Sequence, residues 1–136
     1  MRLYRGLKGP YRSDRVAGGR LSGTDFTDCP TTALCYAEGS RGCLLVLEAA
    51  EQERAALRVT EELWLNGQAK RYMVWGKFDA CIVAAIPAKD LRARLRREGM
   101  RNAPDASKAR VLRIAIDEEI QRRASSSTTV TPEFAP

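Results

Sequence analysis

The chain has 136 residues, 44% of them hydrophobic, enough for one domain with its own core. Lys and Arg number 23 against 17 Asp and Glu, a formal charge of +6, and histidine is absent. Without imidazole, Ser-His-Asp and Cys-His hydrolases, HExxH zincins and C2H2 fingers are excluded, so any chemistry must run on carboxylates, Arg, Lys, Tyr, Ser, Thr or Cys.

Leu3-Tyr4-Arg5-Gly6 reads as a short strand ended by a glycine. Residues 8–23 are rich in Gly, Arg, Ser and Pro and read as a long polar loop. Thr24 to Thr27 resumes an extended pattern. Residues 30–38 predict a short helix, with Asp28 as N-cap, Pro30 in the first turn and Gly39 as the stop. CLLVLEA (43–49) is a buried strand by its apolar run, and 49–56 a helical turn or solvated connector.

LRVTEELWL (57–65) alternates like a strand, and Asn66-Gly67 marks a turn. RYMVWG (71–76) and ACIVAAI (80–86) predict two more strands joined around Gly76. Asp90 to Gly99 predicts a basic helix. A second helix starts at Pro104 or Asp105, with Val111, Leu112, Ala115, Ile116 and Ile120 along one apolar stripe. Residues 124–136 read as a disordered tail. The expected fold is therefore α+β over residues 1–123, a small mixed or antiparallel sheet of five or six strands with inserted and C-terminal helices. No GxGxxG or Walker loop occurs.

Of the four cysteines, Cys35, Cys43 and Cys81 sit in apolar runs and are expected in the core, while Cys29 lies in a turn before Pro30. None forms a CxxC pair, and no disulfide framework is evident. MRLYRGLKGPYR lacks the apolar stretch of a signal peptide, and no run is long enough to span a bilayer. The expectation is a cytoplasmic site of action with no membrane partner, compatible with delivery into a target cell by a specialised secretion machine.

A first-strand Arg in LYRG is followed by FT-x-x-P-x-x-A-x-x-YA at Phe26 to Ala37, then by CLLVLE and paired later strands. This order resembles the ADP-ribosyltransferase fold in its arginine–serine–glutamate, toxin-like class. The resemblance covers roughly residues 2–87. It implies a mono-ADP-ribosyltransferase using NAD, a glycosyl-transferring enzyme of the kind found as bacterial toxin or effector modules. Such modules act on a protein or RNA acceptor and are neutralised by an immunity or antitoxin partner. The absence of His fits the branch that opens with Arg.

Carried onto this chain, the resemblance assigns NAD binding to Arg5 and Gly6, to Thr27, Thr31 or Thr32 for the hydroxyl motif, and to Tyr36 or Phe26 for the nicotinamide ring. The physics suits these roles: Arg presents a planar fork to a diphosphate, and an aromatic face suits a cationic heterocycle. Helix capping is the competing role for Thr31 and Thr32, and core packing for Phe26. The family's Glu is expected just before RYMVWG, where the chain reads Gln68-Ala69-Lys70-Arg71. Three explanations follow: a variant that has lost its carboxylate at Ala69 or Gln68, a substitute among Glu61, Glu62 and Asp79, or a domain that only binds. On an alternating strand Glu61 and Glu62 face opposite ways, and Glu62 is the slight favourite. Water as acceptor would make the same scaffold an NAD glycohydrolase.

Two further features stand apart from the resemblance. Residues 89–101, KDLRARLRREGMR, carry most of the basic excess and could contact RNA phosphates. Trp64 and Trp75 read as a cross-strand pair, or secondarily as a base-stacking platform. Together they define the non-enzymatic alternative, a basic RNA-binding domain.

Overall fold

The computed structural model describes residues 2–11, 24–48, 58–63, 70–75 and 81–130, with 58–63 and 126–130 described by backbone alone. The elements in order are β1 (Arg2–Leu7), β2 (Thr24–Thr27), α1 (Pro30–Tyr36), β3 (Cys43–Glu48), β4 (Arg58–Leu63), β5 (Lys70–Trp75), β6 (Ile82–Pro87), α2 (Ala88–Arg97) and α3 (Asp105–Val130). The six described strands form one sheet in the order β4-β5-β2-β1-β3-β6, and every pairing is antiparallel. The α+β expectation holds in its antiparallel form. The strands around Gly76 do not make a hairpin: β5 and β6 lie in opposite halves of the sheet.

The strand period divides the core into two. Tyr4, Leu44, Val46, Ala84 and Ile86 face the helices and pack with Leu34, Leu91, Leu95, Leu112 and Ile116. Leu3, Phe26, Leu47, Tyr72, Val74 and Cys81 form the second cluster. β3 lies between β1 and β6 and serves both faces, which is why its sequence is apolar without a gap.

Helix α3 buries Leu112, Ala115 and Ile116, with Val111 and Ile120 partly covered, as its stripe predicts. It continues to Val130, so the segment from 124 expected as a tail begins as helix, while 131–136 lie outside the described residues. Arg2 ties β1 to β3 and α3 through Glu48 and Asp117. Arg123 donates to Ala85 O at 3.0 Å and covers part of the β6 edge. Helix α2 starts at Ala88, two residues before the expected Asp90, with Ala88 N donating to Gly42 O at 2.9 Å. It ends where Gly99 takes φ +68°.

Local expectations fail where a tertiary partner intervenes. Asp28 is not the cap of α1: Cys29 holds that position without a side-chain bond, and Asp28 Oδ1 accepts from Lys70 N at 3.0 Å. Cys35 is exposed rather than core, because the buried side of α1 runs through Pro30, Thr31, Ala33 and Leu34. Cys43 and Cys81 are buried as expected. Trp75 stands opposite Arg58, so the register gives no cross-strand partner Trp64, which lies outside the described residues. The expected connector at 49–56 and the Asn66-Gly67 turn also fall outside them. No helix among the described residues is long and apolar enough to cross a membrane.

Candidate functional site

The site follows from how β1 chooses its neighbours. β1 pairs with β3 along its whole length, from Arg2↔Glu48 to Leu7↔Cys43. With β2 it shares a single register pair, Tyr4↔Thr27, while β2 stays with β5 from Thr24 to Thr27. Beyond Tyr4 the sheet therefore parts. Main-chain groups that a continued ladder would have satisfied must find other partners there. Arg5 supplies one, its Nη1 donating to Asp25 O at 2.8 Å.

The parting opens a cleft of about 410 Å³. β1 contributes Arg5, Gly6 and Leu7, with Lys8 just beyond it, and β2 contributes Asp25, Phe26 and Thr27. Ala33 and Tyr36 of α1 form a wall, and Arg71 of β5 closes another side. The volume is within the range of small-molecule sites.

Each wall has a local cause. Gly6 lets α1 lie directly on β1, since an added Cβ would overlap Ala33 O and stand 2.8 Å from Ala37 N. Thr27 is buried, and its Oγ1 accepts from Cys29 N at 3.2 Å, fixing the turn from β2 into α1. The other end of α1 is held by Arg92 of α2, whose Nη2 donates to Leu34 O at 3.0 Å and Ala37 O at 2.8 Å. A cation there also suits the negative end of the helix. Tyr36, between these carbonyls, lines the cleft and is 52% exposed.

Arg5, Lys8 and Arg71 are the described cations of the lining and Asp25 its described carboxylate. Arg71 Nε lies 3.4 Å from Asp25 Oδ1. Burial draws the Arg5 guanidinium below its ordinary pKa, partly opposed by the Asp25 charge. It stays protonated at any physiological pH. A desolvated cation of this kind gains more from an anionic ligand than one in open water.

Of the residues expected at the site, Arg5, Gly6, Phe26, Thr27 and Tyr36 share this cleft. Thr31 and Thr32 do not line it. The Thr31 hydroxyl is buried and donates to Asp105 O at 3.3 Å, joining α1 to the start of α3. Phe26 is 2% exposed and packs in the second core, which leaves Tyr36 as the accessible aromatic. Glu62 stands opposite Arg71 in the strand register and Glu61 opposite Tyr72. Gln68, Ala69 and Asp79 lie outside the described residues.

Asp25, Lys8 and Arg71 are the residues that sequence reasoning missed. Asp25 had one signal, a charge alternating with Phe26 on a short strand, but the β2–β5 pairing that adds Arg71 is not local. Among the described residues no cluster of three or more Cys, Asp or Glu could hold a metal ion. Compared with known protein families, with curated proteins and with solved structures, the chain matches none.

Proposed function

We propose that the cleft between β1 and β2 binds NAD and that the protein is a mono-ADP-ribosyltransferase. The supporting observation is that five positions assigned to NAD by the sequence resemblance line one cleft. Its charge also suits the ligand: three cations against Asp25 leave an excess of two, matching the two negative charges of a dinucleotide diphosphate. On this reading Arg5 forks onto the diphosphate with Lys8 beside it, and Tyr36 stacks on the nicotinamide ring.

The reaction breaks the C–N bond between ribose and nicotinamide, and the electron pair leaves with nicotinamide. The ribose is left cationic, and a fixed carboxylate lowers the barrier to that charge. Asp25, oriented by Arg71, is the carboxylate assigned to this role. The acceptor nucleophile then bonds to the anomeric carbon and gives its proton to that carboxylate. Water as acceptor would yield free ADP-ribose by the same steps.

Calorimetry with NAD tests the binding. Wild type is expected to bind, and Arg5→Ala to bind about ten- to a hundredfold more weakly, the loss of a charged hydrogen-bonding group. Nicotinamide release tests the chemistry: Asp25→Asn should keep NAD and lose release. Absence of NAD binding by the wild type overturns the reading. Release abolished by Glu62→Gln but not by Asp25→Asn moves the role to Glu62. Release that appears only in Ala69→Glu identifies the chain as an inactivated variant.

A further inference from the structure

The cleft has an outlet marked by positive charge. Lys8 lies at its rim, and the turn carrying Gly39 packs beside it: a Cβ on Gly39 would stand 3.7 Å from Lys8 O. Two residues on, Arg41 is exposed. The next residue, Gly42, holds the first residue of α2 through the Ala88 N–H at 2.9 Å. Lys89 therefore begins its helix beside this turn, and Arg92 turns inward onto the end of α1. Lys89 and Arg96, both exposed, are seven residues apart, two helical turns and about 10 Å along one side of α2. On the other flank of α2, Arg94 is bound to Glu98 and Glu118, and Arg97 lines a groove together with Glu118 and Glu119. Asp90 also belongs to that flank, lining the groove between α2 and α3. Glu38 is the exposed carboxylate on the near side.

We propose that Lys8, Arg41, Lys89 and Arg96 form a cationic track that leads a single-stranded nucleic acid to the cleft mouth, where a base stacks on the solvent side of the half-exposed Tyr36 ring, opposite the face that takes nicotinamide. The inference rests on the NAD reading in one respect, that the guided strand is the ADP-ribose acceptor. The pairing of a row of cations with an exposed aromatic favours this partner over an acidic protein. Phosphates answer the charges, and every base has a face for Tyr36. A folded duplex keeps its bases stacked inside and would use the charges alone.

Fluorescence anisotropy with a labelled oligouridylate and a labelled oligothymidylate, without NAD, tests the track. Lys89→Ser/Arg96→Ser is compared with Lys108→Ser/Arg110→Ser, which removes the same charge from α3. Loss of two phosphate contacts should lower the slope of log affinity against log salt by about 1.4, which is about tenfold at physiological salt. The α3 double variant should bind like wild type, and both should melt with it. Equal weakening by the two doubles, or binding of polyglutamate in place of either oligonucleotide, overturns the proposal. RNA and DNA arms report which backbone is preferred. With labelled NAD added, label should pass to the oligonucleotide in wild type and not in Lys89→Ser/Arg96→Ser, while nicotinamide release continues. Oligonucleotide binding by a protein that takes up no NAD would sink the transferase reading and leave the track standing. NAD turnover without oligonucleotide binding would do the reverse.

Discussion

Replacing Gly6 by Ala tests how closely α1 lies on β1, and with it the wall of the cleft. The added Cβ would overlap Ala33 O and stand 2.8 Å from Ala37 N and 3.0 Å from Tyr36 C. All three neighbours are main-chain atoms, so no side chain can rotate away and α1 itself must shift. Overpacking of this kind costs about 1–3 kcal/mol, and a backbone collision belongs at the upper end. Alanine recovers about 0.5–1 kcal/mol by restricting the unfolded chain, leaving a net loss of about 2 kcal/mol. For a domain of this size that lowers the melting temperature by about 8 °C. Thermal unfolding followed by circular dichroism measures it. Gly9→Ala is the control: a Cβ added there would meet nothing within 4 Å, so this variant should melt with the wild type or slightly above. Because the shifted helix carries Ala33 and Tyr36, NAD affinity should fall with stability. If Gly6→Ala melted with Gly9→Ala, α1 could not pack on β1 as described.

Three further outcomes are expected. Arg92→Ala leaves the Leu34 and Ala37 carbonyls without their charged donor and should cost about 1.5–3 kcal/mol in chemical denaturation, with Arg92→Lys recovering only part. Thr31→Val loses the bond to Asp105 O, about 1 kcal/mol of stability, yet should leave NAD affinity unchanged by calorimetry; weaker binding would return Thr31 to the site. The Arg122 hydrogen bond holds Glu119 below the usual carboxylate range although burial pushes the other way. A carboxylate depressed in the fold contributes stability that is complete above about pH 4.5 and is lost as pH falls through its folded value. The melting gap between wild type and Glu119→Gln should therefore be level near neutrality and close in acid. A gap that widens as the pH falls, instead of closing, would refute the assigned pairing.

The legible parts of this protein were those governed by local period. CLLVLE read as a buried strand from its apolar run, and the stripe from Val111 to Ile120 as one side of a packed helix. Arg5-Gly6, Phe26-Thr27 and Tyr36 were marked by their order along the chain. Where local chemistry had a rival, it misled. Asp28 has the side chain of a helix cap, but the start of β5 reaches it, and Lys70 N takes its carboxylate. Cys35 sits in an apolar run, but a helix of seven residues buries only one side.

By itself the sequence determined the types of the main strands and helices, the apolar stripe of α3 and the exclusion of imidazole chemistry, because all three depend on residue identity and short-range geometry. Only the tertiary structure decided which strands are neighbours. β1 follows β3 and releases β2 after Tyr4, and that parting creates the cleft and sets Lys8 at its rim, while the pairing of β2 with β5 brings Arg71 to Asp25. Strand pairing is a choice among distant partners, made by the fit of whole faces, and side-chain period along one strand carries no record of it.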